Sequence, residues 1–160
     1  MTQMGSKIGQ LYAYWLGLAQ GSVPERDDFD PGAIRPLLPN LMIVEIEDEP
    51  FRILFRLSGT KVDEVTGMNI TGHYLDELML DQGAAQLEQL HALYAACQSQ
   101  ARHFIGAMDW PNKLGAMTRI NLGVFPLKVD GVIRQLLVIE EYDEVDADNA
   151  PLQWYTPDIV

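Results

Sequence analysis

The sequence has little cysteine for disulfide bonds and no long apolar stretch that could span a membrane. Its single cysteine, Cys97, cannot form a disulfide within the chain, so folding depends on burying the apolar residues that make up 48% of the 160 positions. No stretch approaches the roughly 20 consecutive apolar residues that cross a bilayer, and no basic and apolar leader opens the chain. We therefore predict a cytoplasmic protein with no membrane partner.

Positive charge is also scarce. Eleven Lys and Arg residues face 23 Asp and Glu residues, giving a formal charge of −12. Such a field repels phosphate groups, so we predict that nucleic acid is not a partner. Acidic residues gather after the last predicted strand, at Asp143, Glu144, Asp146 and Asp148. This segment is either a solvated tail or a docking segment for a basic partner.

Patterns typical of catalytic and metal sites are missing. The three histidines, His73, His91 and His103, are far apart and lack the spacing of metal ligands. The sequence has no nucleophile elbow, no phosphate-binding loop and no paired acid and base. We therefore expect a protein without a metal, without a cofactor and without enzymatic activity.

The first helix is predicted from Ser6 to about Gln20, where apolar residues recur every three or four positions. Ser6 can cap its start and Gly21 can end it. Its aromatic face can cover a sheet or bind a partner, and aromatic side chains dominate interface energetics. The predicted partner-binding residues are Tyr12, Trp15 and Leu18.

The remaining elements indicate an α+β fold with an antiparallel sheet. A short helix is predicted from Gly32 to Leu38, capped by Asp30, and a hairpin from 41–47 and 51–57. In its second strand we expect Phe51, Ile53, Phe55 and Leu57 to share one face. Two short helices and a long helix over 82–101 follow. A three-stranded meander over 103–110, 117–127 and 132–142 completes the sheet.

Several motifs resemble the PAS domain. The segment 59–67, which ends in Thr66-Gly67, is similar to the PAS strand that feeds a short helix, and 72–78 to the Gly-x-x-Leu-x-Glu-Leu turn after it. Further residues are similar to a bacterial family of stand-alone PAS-like proteins. These are Tyr14-Trp15, Pro24, Arg26 to Pro31, Leu38-Pro39, Phe55 to Thr60 and Ile70 to Gly72.

The resemblance implies a PAS-like five-stranded antiparallel sheet with short connecting helices, one long helix and an N-terminal helical extension. We expect the extension at 1–40, the PAS-like core at 41–142 and the acidic tail at 143–160. Many PAS domains dimerise and act on a partner. Since the chain ends soon after the fifth strand, we expect a homodimer that signals through another protein, such as a histidine kinase or regulator.

In PAS domains the inner sheet face and the helices enclose a cavity, and we expect a small apolar or amphipathic ligand there. Alternation and helical spacing select the candidate ligand-binding residues. These are Phe55, Leu57, Leu87, His91, Met108 and Trp110. Two alternatives stay open. One is a small cavity enzyme with His91 or Asp109 as general base, and the other is a structural homodimer with a filled interior.

Overall fold

The computed structural model describes residues 6–66, 69–78, 84–111, 117–142 and 157–158. The helices are α1 (Lys7–Ala19), α2 (Thr60–Thr66) and α3 (Ala84–Gln100), with short 3-10 segments at Arg26–Asp28, Pro31–Asn40 and Leu75–Leu78. The strands are β1 (Leu41–Asp48), β2 (Phe51–Ser58), β3 (Phe104–Pro111), β4 (Met117–Val129), β5 (Val132–Tyr142) and β6 (Pro157–Asp158).

The strands form one antiparallel sheet in the order β2-β1-β5-β4-β3-β6. This confirms the predicted PAS-like α+β class with its five main strands. The two-residue β6, within the predicted acidic tail, adds a short sixth strand beside Ala107 and Met108. The turn between β4 and β5 has Asp130 and Gly131 at φ 53° and 80°, as two-residue hairpin turns require.

The central strands are apolar at nearly every position because both faces of the sheet are covered. On β5, Leu136 and Val138 point to one face and Leu137 and Ile139 to the other. We call the first set the inner cluster: Met42, Val44, Ile46, Ile53, Phe55, Val62, Ile70, Leu75, Leu87, Leu90, Leu93, Tyr94, Cys97, Met108, Ile120, Leu122, Val124, Leu136 and Val138. The outer cluster is Ile8, Leu11, Trp15, Ala19, Phe29, Ile34, Leu37, Leu41, Ile43, Phe125, Leu127, Leu137 and Ile139.

The outer face of the sheet is covered by α1. The Ser6 side chain accepts a hydrogen bond from Gly9 N, which confirms the predicted cap. Trp15 is 6% exposed, and its Nε1 donates to the Pro126 carbonyl oxygen at 2.9 Å. Trp15, a predicted partner-binding residue, is therefore packed within the chain, whereas Leu16 on the other side of α1 is 47% exposed.

Proline changes the second predicted helix. Asp30 caps it as expected, accepting from Gly32 N at 2.9 Å, but the segment Pro31–Asn40 is a kinked 3-10 helix. Pro36 and Pro39 have no N–H to give to an α-helical ladder, so shorter-range turns replace it.

A bulge in β2 corrects the expectation for Leu57. Opposite β1, Phe55 pairs with Val44 and Leu57 pairs with Ile43, so Arg56 is an extra residue in the ladder. The alternation predicted from Phe51 onwards therefore ends at Phe55. Leu57 is 48% exposed and does not share the buried face.

An aromatic group joins α1 to the sheet around His103. Its ring stacks on Phe125 at 5.9 Å between centroids and lies 4.6 Å from Tyr12 and 5.6 Å from Trp15. Partial burial, and secondarily the adjacent Arg102 charge, lowers the pKa of His103. The charged imidazolium is therefore disfavoured in the folded state.

A fall in stability at mildly acidic pH is expected from His103. Because its pKa is lower in the folded chain, the unfolded chain binds more protons, and the free energy of unfolding decreases as pH falls below about 6.5. Urea unfolding at pH 7.5 and 5.5 measures this. The His103→Gln variant should show a smaller decrease, and an equal decrease would contradict the role of His103.

No helix among the described residues is long and apolar enough to cross a membrane. Apart from Pro157–Asp158, the acidic segment predicted at 143–160 lies outside the described residues.

Candidate functional site

A cavity of 390 Å³ lies between β2, the Leu75–Leu78 segment and α3. Its volume falls within the range of small-molecule sites, roughly 300–1,000 Å³. The lining residues are Phe51, Arg52, Ile53, Leu75, Asp76, Leu87, Glu88 and His91. Glu88 and His91 are exposed, so α3 forms the rim on one side.

The wall of this cavity is apolar and belongs to the inner cluster. Ile53, Leu75 and Leu87 are each at most 3% exposed, and Phe51 packs against the same cluster. The rings of Phe51 and His91 meet edge to face, with centroids 4.8 Å apart. The arrangement offers an apolar surface next to an aromatic edge and suits the body of an amphipathic molecule.

The opposite rim is held by Arg52. Its Nε and Nη2 donate to the two carboxylate oxygens of Asp76 at 2.8 and 2.7 Å, and its guanidinium lies 3.6 Å from the Tyr74 ring centroid. The bond from Arg52 lowers the pKa of Asp76. Tyr74 donates to Glu47 Oε2 at 2.7 Å, which raises the pKa of that phenol. Both groups are thereby fixed as charged carboxylate and neutral phenol.

Backbone bonds fix this rim along the edge of β2. Phe55 N donates to the His73 carbonyl oxygen at 3.0 Å, and Gly72 N donates to the Phe55 carbonyl oxygen at 2.7 Å. Ser58 N donates to Thr71 Oγ1 at 3.0 Å. The 69–74 segment therefore occupies the free edge of the strand, and it positions the Leu75–Leu78 segment over the cavity.

Polar groups lie inside the inner cluster as well. Tyr94 on α3 and Glu140 on β5 are both fully buried. The Tyr142 hydroxyl donates to Glu140 Oε1, and the Asn40 side chain donates to the Glu140 carbonyl oxygen at 2.8 Å. The Tyr94 hydroxyl has no hydrogen-bond partner among the described residues. Both polar side chains point into an otherwise apolar interior.

A comparison with protein families agrees with this architecture. The family model described as the PAS domain matches residues 3–136. The chain belongs to the PAS domain family. The match begins before α1, so it includes the N-terminal segment that covers the outer face.

Solved structures with a similar fold include the VqmA receptor of Vibrio cholerae. A VqmA–ligand–DNA complex matches with TM-score 0.54 and 13% identity, covering 71% of this chain and 51% of that chain. VqmA bound to DPO matches with TM-score 0.54 and 13% identity, over 72% and 57%. A PAS domain from Colwellia psychrerythraea has TM-score 0.48 and 12% identity, over 71% and 98%. None of the curated proteins matches.

The chain spans about half the length of the VqmA chains, and at 13% identity the likeness establishes the fold alone. It nonetheless corrects one prediction. Nucleic acid was excluded as a partner because of the formal charge of −12. A receptor with this fold forms a complex with DNA. The PAS fold therefore occurs in DNA-binding proteins, and the net charge of one domain does not decide what the whole protein contacts.

The predicted ligand residues of this PAS domain fall into three groups. Leu87 and His91 line the cavity. Phe55 and Met108 are fully buried in the inner cluster. Leu57 is on the exposed side of the bulge, and the side chain of Trp110 lies outside the described residues.

Sequence reasoning missed most of the lining. Phe51 and Ile53 share the alternation that selected Phe55, so that pattern could have found them. Arg52 and Asp76 were not predictable as a pair, because they are 24 residues apart and meet only when the 69–78 segment folds along β2. Two of the predicted partner-binding residues, Tyr12 and Leu18, are half-buried on the side of α1 that faces the sheet.

The two candidate general bases, His91 and Asp109, do not form an active site. Asp109 accepts from Arg119 at 2.8 and 3.0 Å, whereas His91 packs against Phe51 and lies near Asp76. His91 and Asp76 are both exposed, not the buried pair that the enzyme alternative requires. Within the described ranges no group of three metal-ligating residues occurs. PAS domains are in general sensory rather than catalytic.

Proposed function

We propose that this PAS domain is a sensor that binds one small amphipathic molecule in the 390 Å³ cavity between β2, the Leu75–Leu78 segment and α3. The observation that carries the proposal is the division of the lining. Phe51, Ile53, Leu75 and Leu87 offer apolar surface, and the charged and aromatic side chains of the rim surround it.

The contacts around the cavity support a site that responds to occupancy. Arg52 is already bound to Asp76 through two of its nitrogens, Nε and Nη2, and stacked on Tyr74, so it holds the 69–78 segment against β2. A ligand beside Leu75 and Leu87 presses on that segment and on α3. Because both pack on the inner cluster, occupancy can change the surface that a partner protein meets.

The signalling part of the proposal concerns the whole molecule. We propose that the domain acts without catalysis and passes its signal to another protein as a dimer in the cytoplasm. The proposed division has the extension at 1–40, the PAS core at 41–142 and the acidic tail at 143–160. The packing of α1 on the outer face supports the signalling proposal. A shift in the strands changes the position of α1 directly, because the two pack against each other.

Blocking the mouth of the cavity tests ligand binding. His91→Trp adds a larger ring at the rim, and Gln89→Trp adds the same ring at an exposed α3 position that does not line the cavity. Natively purified protein is first analysed by native mass spectrometry for a bound molecule. Phenol and indole are then titrated by calorimetry as compact amphipathic probes.

We expect the wild type and Gln89→Trp to bind a probe or to retain a co-purified molecule. His91→Trp should lose binding by about tenfold or more, because the added ring occupies the ligand's space. If the wild type binds neither probe and carries no molecule, or if the two tryptophan variants bind equally, the proposed function is wrong.

A further inference from the structure

The charged side chains around the cavity beside α3 do not balance. Among the described residues that line it, Arg52 is the one lysine or arginine, whereas Asp76 and Glu88 are both carboxylates. With histidine counted as neutral, as in the formal charge of the chain, the described lining has one positive and two negative side chains. The excess negative charge lies next to the apolar wall of the cavity, and this combination favours a ligand with one positive charge.

The positive charge of Arg52 is compensated within the protein. Its Nε and Nη2 donate to the two carboxylate oxygens of Asp76 at 2.8 and 2.7 Å, and its guanidinium lies over the Tyr74 ring. The bond from Arg52 lowers the pKa of Asp76, so this carboxylate keeps its charge and the pair stays formed. An anionic ligand would therefore compete with Asp76 for Arg52.

Glu88 supplies the carboxylate that is not compensated. It follows Leu87 on α3 and lies three residues before His91, and all three line the cavity. Glu88 makes no hydrogen bond or ion pair with any residue in the described part of the chain. Because its side chain is exposed at the mouth, the carboxylate can meet the polar end of a molecule whose apolar body lies on Leu87.

The charge of the whole chain acts in the same direction. A formal charge of −12 attracts cations towards an acidic cleft and repels anions from it. The pair itself adds only modest affinity, because water screens an exposed carboxylate, and a gain of about fivefold is the upper range for such a contact. The apolar wall therefore supplies most of the affinity, and the charge at the mouth supplies the selectivity.

We propose that the cavity selects a small amphipathic amine, whose apolar body lies against Phe51 and Leu87 and whose ammonium group pairs with Glu88. This inference rests on the proposed function and specifies its ligand class. An ammonium group is only a donor and an ionised carboxylate only an acceptor, so the two are complementary. A neutral molecule of the same shape keeps the apolar contacts and loses the ion pair, and an anion is repelled.

Three probes with the same ring system and different charges test this selectivity. Tryptamine is a cation at neutral pH, tryptophol is its neutral alcohol analogue, and indole-3-acetate is an anion of similar size. The test variant is Glu88→Gln. Glu64→Gln is the control, because it makes the same chemical change at a 72% exposed position on α2 outside the described lining. Affinities are measured by calorimetry at about 50 and 500 mM NaCl, and urea unfolding compares the stabilities of the variants.

The wild type should bind tryptamine about fivefold more tightly than tryptophol and indole-3-acetate most weakly, and high salt should reduce the tryptamine advantage. Glu88→Gln should unfold at the wild-type midpoint, lose most of that advantage and bind tryptophol as before, whereas Glu64→Gln should match the wild type. Equal binding of the three probes by the wild type, or an advantage that Glu88→Gln retains, would overturn the amine inference and leave the cavity proposal intact. Binding of none of the probes, with no co-purified molecule, would overturn both.

Discussion

Gly59→Ala is expected to lower the free energy of unfolding by about 3 kcal/mol or more. A Cβ at Gly59 would lie 2.3 Å from the Leu38 carbonyl oxygen and 2.4 Å from the Pro39 carbonyl oxygen. These atoms are backbone, so a rotamer change cannot relieve the clash. Gly59 also donates its N–H to the Leu41 carbonyl oxygen at 2.8 Å, which holds the start of α2 beside β1.

Gly17→Ala is the matched control, because no atom lies within 4 Å of a Cβ built at Gly17 in α1. Alanine in a helix interior is more favourable than glycine by about 1 kcal/mol, so this variant should be slightly more stable than the wild type. Urea unfolding of both variants measures the difference. A Gly59→Ala protein as stable as the wild type would show that the Pro31–Asn40 segment does not pack on this junction as the structure has it.

Trp15→Ala should lower the free energy of unfolding by about 3–5 kcal/mol. The indole is 6% exposed, packs against Phe125 and His103, and donates to the Pro126 carbonyl oxygen at 2.9 Å. Its loss leaves a void between α1 and the sheet and an acceptor without its donor. Had Trp15 met a partner instead, the same change would weaken self-association and leave the monomer's stability nearly unchanged.

Leu16→Ala is the control that separates packing within the chain from contact with a partner. Leu16 is the next residue on α1 and is 47% exposed, so its truncation should change the free energy of unfolding by no more than about 0.5 kcal/mol. Urea unfolding gives the stabilities, and sedimentation across a dilution series gives the oligomeric state. A small stability loss for Trp15→Ala together with weaker self-association would contradict the intramolecular role.

Local patterns in the sequence were sufficient for most of the architecture. Capping by Ser6 and Asp30, the Asp130-Gly131 turn, the β1–β2 hairpin and the β3–β4–β5 meander depend on interactions between residues close in the chain, and the structure confirms them. The pairing of β1 with β5 joins distant parts of the chain, and no local pattern indicated it. The bulge at Arg56 was not predictable. One extra residue in a strand leaves the composition of the segment unchanged, and its effect on which side chains are buried is evident only when the pairing with β1 is known.

The candidate site depends more heavily on contacts between distant parts of the chain. Helical spacing identified Leu87 and His91, but the rim pair of Arg52 and Asp76 forms only after β2 and the 69–78 segment come together.

Methyl NMR during an indole titration tests most directly whether the cavity beside α3 is the ligand site. We expect shift changes for the leucine methyl groups of Leu75 and Leu87, which line the cavity, while those of Leu11 and Leu37 in the outer cluster stay in place. Changes confined to the outer cluster, or no change at saturating indole, would contradict the account.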